Sequence, residues 1–96
     1  MDNDVKIPHR LKIAGVYYTV IIQAMADQGN ILFGRGIITV KDELCQDKAE
    51  EALCHEIVEA WNEAYELKLS HTKIQTLGSA LHQLEKDNKL SFYEGK

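Results

Sequence analysis

His55, Glu56 and Glu59 lie within five residues and offer one imidazole and two carboxyl groups. If the segment around them is helical, His55 and Glu59 lie one turn apart, and their side chains point within about 40° of each other. Glu56 then points about 100° away from His55. Imidazole nitrogen and carboxylate oxygen both bind zinc, at about 2.0 to 2.2 Å. The spacing therefore indicates a candidate metal site with a further carboxyl group beside it.

This arrangement has the layout of the H-E-x-x-H helix of zinc hydrolases. There the first and last residues bind the metal, and the glutamate takes a proton from the bound water. In this chain Glu59 stands where that helix has its second histidine. The alternative is the solvated face of an amphipathic helix, since one continuous polar stripe contains Glu51, His55, Glu59, Asn62 and Glu66.

The chain before residue 42 has the sequence signals of β-strands. Residues 10 to 23 alternate as strands do, and the Ala14–Gly15 step divides them into RLKI and VYYTVIIQ, which predicts a hairpin. Turn chemistry follows at residues 27 to 30, and ILFGRGIITV then predicts one or two more strands, with a bulge at its glycines. We expect a small, mainly antiparallel sheet of three to four strands before residue 42.

After Val40 the apolar period changes from two to about 3.6. Asp47 and Glu50 have capping-box spacing and predict the start of a helix of about 18 to 20 residues. Its apolar face consists of Leu53, Ile57, Ala60, Trp61 and Ala64. We expect Trp61 and Ile57 to be largely buried, and Cys54 to be a small buried residue.

A second helix is expected after the turn LKLS and should end at residues 87 to 89. Thr72 and Gln75 have capping-box spacing, and the apolar stripe contains Ile74, Leu77, Leu81 and Leu84. The tail LSFYEGK is compatible with a short edge strand or with fraying. Because strand and helix signals are segregated along the chain, the fold expected is α+β, with two packed helices against the sheet.

The segment CHEIVEAWNEAYELKLSHTKIQTLGSALHQLEKDN resembles the C-terminal half of small phage and prophage proteins with a minimal zincin-like domain. These are similar to the ImmA/IrrE type of metallopeptidase, in which a helix after the metal-binding helix supplies the third ligand. Its pattern, E-x-x-A-x-x-F-A-x-x-L-L, matches His71, Ile74, Leu77, Gly78 and Leu81. The resemblance implies a single zincin-like domain over residues 1–96, zinc bound by His55, Glu59 and His71, and Glu56 as catalytic base.

His82 competes with His71 for the position of third ligand. In a simple antiparallel hairpin it would come level with His55 and Glu56, whereas His71 must be brought back by the loop. The two histidines stand about 16 Å apart along the helix axis and cannot serve the same ion. The motif match favours His71.

The composition bears on partners and location. The formal charge of -4 is dispersed, with no basic stripe, so nucleic acid is not expected as a direct partner. Cys45 and Cys54 are too few for a disulfide scaffold, and no apolar run approaches the roughly 20 residues that span a bilayer. We expect a cytoplasmic protein without membrane attachment.

Two functions agree with these observations. The first is zinc-dependent hydrolysis of a peptide bond, with an extended substrate held along an edge of the sheet. The second is a non-catalytic protein-binding module of mobile-element origin, an adaptor or an inhibitor of a host defence or regulatory protein. In both cases the partner is a protein or peptide.

Overall fold

The computed structural model describes residues 5–89, and it has the expected α+β order of strands first and helices last. The strands are β1 (Arg10–Ile13), β2 (Val16–Gln23), β3 (Gly29–Leu32) and β4 (Ile37–Lys41). The helices are α1 (Gln46–Ala64) and α2 (His71–Asn88), and a 3-10 turn (Phe33–Arg35) connects β3 to β4. The tail LSFYEGK lies outside the described residues.

The four strands form one mixed sheet in the order β1-β2-β4-β3. β1 and β2 pair antiparallel through the predicted hairpin, in which Ala14 and Gly15 both have positive φ, 51° and 82°. Such a two-residue turn matches the right-handed twist of the strands. β3 and β4 also pair antiparallel, and β2 runs parallel to β4. The sheet is therefore mainly antiparallel, as expected, and β3 forms one of its edges.

The hydrophobic core lies between the sheet and α1. Ile38 and Val40 of β4 are fully buried at its centre, and α1 covers them with the small residues Ala49, Ala52 and Ala60. α2 packs on α1 rather than on the sheet. In the part of the chain that the structure describes, neither helix combines the length and hydropathy needed to cross a membrane.

The expected burial of Trp61 is wrong. Its side chain is 36% exposed, and Ile57 is half-buried at the edge of the core. The contact of α1 with the sheet is made largely by alanines, which let the helix lie close to the strands, while Trp61 lines an apolar groove between α1 and α2. Replacing Trp61 by alanine should therefore cost less than the roughly 3 to 5 kcal/mol of a fully buried tryptophan.

The predicted capping boxes are also wrong. The residue preceding α1 is Cys45, which makes no side-chain cap, and Asp47 instead forms an ion pair with Lys86 of α2. The cap of α2 is Ser70, whose hydroxyl oxygen accepts a hydrogen bond from the Lys73 amide at 3.2 Å. In both cases the residue before the helix lies two positions earlier than the capping-box spacing suggests.

The two helices are in close backbone contact at Gly78. A Cβ atom built there would lie 2.9 Å from the His55 Cα and 3.2 Å from the His55 nitrogen. Those are backbone atoms of α1, so they cannot move aside as a side chain would. Gly78 therefore allows α2 to lie directly against the turn of α1 that carries His55.

We expect Gly78→Ala to destabilise the protein, because the added methyl group overpacks the contact between the helices at a cost of about 1 to 3 kcal/mol. The roughly 1 kcal/mol by which alanine favours a helix over glycine offsets part of this cost, so the net loss should reach about 2 kcal/mol. Urea unfolding measures the change. Gly34→Ala is the matched control, since a Cβ there has no atom within 4 Å. Equal stability of the two variants would contradict the close contact.

Candidate metal centre

The structure brings His55 and Glu59 of α1 together with His71, the first residue of α2. The His55 Nε2 lies 3.4 Å from the Glu59 Oε2, and the rings of His55 and His71 are in edge contact with their centroids 5.8 Å apart. One ligand atom from each of the three residues lies within 4.8 Å of the other two. Two imidazoles and one carboxylate, a donor set common in zinc hydrolases, thus converge from two helices.

The loop between the helices returns the chain to this point. It reverses through two residues with positive φ, Glu66 at 51° and Lys68 at 59°. The Asn62 side-chain oxygen accepts a hydrogen bond from the Leu69 amide at 2.9 Å and fixes the loop to the last turn of α1. Ser70 then caps α2. His71 consequently stands beside Glu59 even though α1 extends more than one turn beyond it.

Glu56 is buried next to this cluster, with its side chain turned toward the sheet. It is 5% exposed, and a Cβ atom on Gly29 of β3 would lie 2.9 Å from its Oε2. Burial, followed by the nearby charge of Glu59, raises the pKa of Glu56 to about 7. A general base works best when its pKa lies near the operating pH, and Glu56 meets that condition.

The cluster opens into a polar cleft of about 680 Å³ between the two helices and the segment that leads into β3. Glu51 and His55 lie on one wall, and Gln75 and Ser79 of α2 lie on the other. Glu51 accepts a hydrogen bond from the Ser79 hydroxyl at 3.2 Å. Glu51, His55 and Glu59 of the polar stripe therefore line the cleft and face α2.

His82 belongs to a different cluster. Its Nε2 lies 3.0 Å from the Glu50 Oε1 and 3.4 Å from the Asp47 Oδ1, and these three residues also have ligand atoms within 4.8 Å of one another. The Lys86 ammonium group already binds Asp47, and its hydrogen bond lowers the pKa of Asp47. The geometry places His71, and not His82, beside His55 and Glu59.

Other residues around the centre have separate positions and roles. Cys54 is buried as expected, and its burial raises the pKa of the thiol to about 11, which leaves it a poor nucleophile.

Gly29, Asn62 and Ser70 position the site, and the sequence patterns do not assign them that role. Only Ser70 carried a recognisable signal, since serine is a preferred residue immediately before a helix.

Comparison with known proteins assigns no family to the chain. No family model, no curated protein and no solved structure matches it. The interpretation of these residues as a metal centre therefore rests on their chemistry and geometry in this chain.

Glu56→Gln should stabilise the metal-free protein progressively as the pH rises. Below pH 4.5 the carboxyl group is protonated in the folded and the unfolded chain alike, so the substitution gains little. Between pH 4.5 and about 7 the unfolded chain ionises first and the wild type loses stability relative to the variant. Above pH 7 the difference should level off at about 3 kcal/mol.

Denaturant titrations in the presence of a chelator, at several pH values, measure this difference. Glu63→Gln, an exposed glutamate on the same helix, is the control and should differ little from the wild type throughout. A stability difference for Glu56→Gln that is independent of pH would show that the Glu56 carboxyl group is solvated.

Proposed function

We propose that the protein is a zinc-dependent peptidase with a minimal zincin-like domain. His55, Glu59 and His71 are the zinc ligands, and Glu56 is the general base. The observation that supports this most strongly is the convergence of three ligand side chains from two helices beside a buried carboxyl group. None of the three would need to leave its helix to bind the ion.

One distance within the cluster agrees with tetrahedral coordination. Two donors bound about 2.1 Å from a tetrahedral ion are about 3.4 Å apart. The His55 Nε2 and the Glu59 Oε2 have that separation. His71 is exposed, so its ring is able to rotate toward the other two. Bound zinc would supply Lewis-acid activation of a water molecule.

Glu56 would receive the proton from that water. Its carboxyl group lies beside the ligand residues but points toward β3, which keeps it out of the ligand set. Burial against β3 restricts its side chain, and its carboxylate form would accept the proton. The base thus has a position separate from the three ligands, although Glu56 directly follows the ligand His55 in the chain.

The edge strand β3 supplies a binding position for an extended peptide. It lies at the rim of the cleft, and its first residue, Gly29, touches Glu56. A peptide that adds to this edge through main-chain hydrogen bonds would pass directly over the candidate centre. This arrangement favours an unfolded or loop segment of a protein as substrate.

The proposal includes the origin and location expected from the sequence. Residues 54–88 resemble the zincin-like domains of small phage and prophage proteins, and this resemblance supports an origin in that group. Cys45 is exposed and Cys54 is buried, and both are free, which agrees with the reduced thiols of a cytoplasmic protein.

Substitution of the ligands and of the base should have different consequences. His55→Ala and His71→Ala should each abolish stoichiometric zinc binding, because two ligands hold the ion poorly. Glu56→Gln should retain the zinc and abolish peptide hydrolysis. His82→Ala is the control and should retain both.

Zinc content after dialysis of untagged protein, together with cleavage of a peptide mixture followed by mass spectrometry, measures both properties. Zinc retained by His55→Ala, or lost from His82→Ala, would place the metal elsewhere. A wild type that binds zinc and peptides without cleaving them would support the non-catalytic binding module instead. The cleft and the outer edge of β3, which no other strand among residues 5–89 covers, serve that function equally well.

Gly29→Ala should show whether catalysis needs the Glu56 carboxyl group in its observed position, because this substitution moves the group without removing it. The added Cβ would displace the flexible end of Glu56 while leaving all three ligands untouched. We expect zinc binding to be unchanged and kcat to fall by about 100-fold, the effect of an ångström-scale misplacement of a reacting group. An unchanged kcat would contradict the role of Glu56, and Gly34→Ala controls for the loss of a glycine.

A further inference from the structure

An apolar groove lies on the side of α2 away from the candidate metal centre. It has a volume of about 320 Å³ and lies between α2, the last turns of α1 and the loop that joins them. Leu77 and Leu84 line it and are 46% and 47% exposed, and Trp61 and Leu67 extend the apolar surface. On an ideal helix Leu77 and Leu84 point about 140 to 160° away from Ser79, which lines the metal cleft.

The exposed face of α2 has the spacing of a helix-pairing seam. Lys73, Leu77, Ala80, Leu84 and Asp87 follow one another at steps of four, three, four and three residues. On an ideal helix these five positions lie within a sector of about 80°. Alternating steps of four and three are the pattern by which helices pack along one another.

The seam is self-complementary about Ala80. A basic residue lies seven positions before it and an acidic residue seven positions after it, with one leucine on each side. In an antiparallel pair of identical helices that cross at Ala80, each Lys73 comes opposite the Asp87 of the other copy. Each Leu77 then packs beside the Leu84 of the other copy. The small Ala80 side chain allows a close approach at the two-fold axis, as an isologous interface requires.

We propose that the protein forms a homodimer by antiparallel packing of α2 against α2 of a second copy. The two apolar grooves become the core of the interface, and two Lys73–Asp87 ion pairs close its ends. Opposite charges at mirror-related positions favour this occupant, because an unrelated apolar partner would have no need of them. Both metal clefts remain open, so dimerisation is independent of the proposed hydrolysis.

The experiment that tests the dimer is sedimentation equilibrium of the full chain from micromolar to millimolar concentration. The wild type should be dimeric. Lys73→Asp and Asp87→Lys should each weaken the dimer by about tenfold or more, since two contacts per dimer become repulsive. The variant that carries both substitutions should recover the wild-type dissociation constant, because the ion pairs are re-formed with reversed polarity.

Two further variants keep the test independent of folding. Ala80→Glu places two like charges at the two-fold axis and should give a monomer with unchanged far-ultraviolet circular dichroism. Lys48→Asp makes the same charge change as Lys73→Asp, but on the cleft side of α1, and should leave the dimer intact. A wild type that is monomeric throughout, or a double variant that associates no better than the single ones, would overturn the proposal.

Discussion

The close contact between Gly78 and the backbone of His55 determines how the two helices meet. Once α2 lies against α1 at that point, the antiparallel register follows along the whole hairpin. His71 comes to Glu59, Ser79 to Glu51 and Lys86 to Asp47. A bulkier residue at position 78 would separate the helices at the turn that carries the candidate centre. The register, and not the individual ligands, is what assembles the site.

The second constraint is the burial of Glu56 between α1 and the edge strand. An ionised carboxyl group at this position has lost most of its water, which works against folding at neutral pH. An apolar residue would fill the same space without that cost. A destabilising carboxyl group held against Gly29 is the kind of local conflict expected at functional sites, where stability is reduced in favour of chemistry. It supports the role of base better than the motif alone does.

Local signals in the sequence predicted the elements well. The Ala14–Gly15 turn and the change of period after Val40 gave the hairpin and the order of strands and helices, because both depend on neighbouring residues. The parallel pairing of β2 with β4 and the contact of Gly29 with Glu56 depend on residues far apart in the chain. Trp61 was misplaced because periodicity identifies an apolar face but not the element that covers it. His71 was placed beside His55 by a motif match, whereas Asn62 and the left-handed loop residues explain it physically.

A zinc titration followed by long-range proton–nitrogen correlation spectra tests whether His55 and His71 bind one zinc ion together, because these spectra report the ring nitrogens of each histidine separately. The signals of His55 and His71 should change together and saturate at one equivalent of zinc, while those of His9 and His82 do not change. Saturation at one equivalent through His82 with its neighbours Asp47 and Glu50, or gradual changes in all four rings without saturation, would contradict a zinc ion shared by His55 and His71.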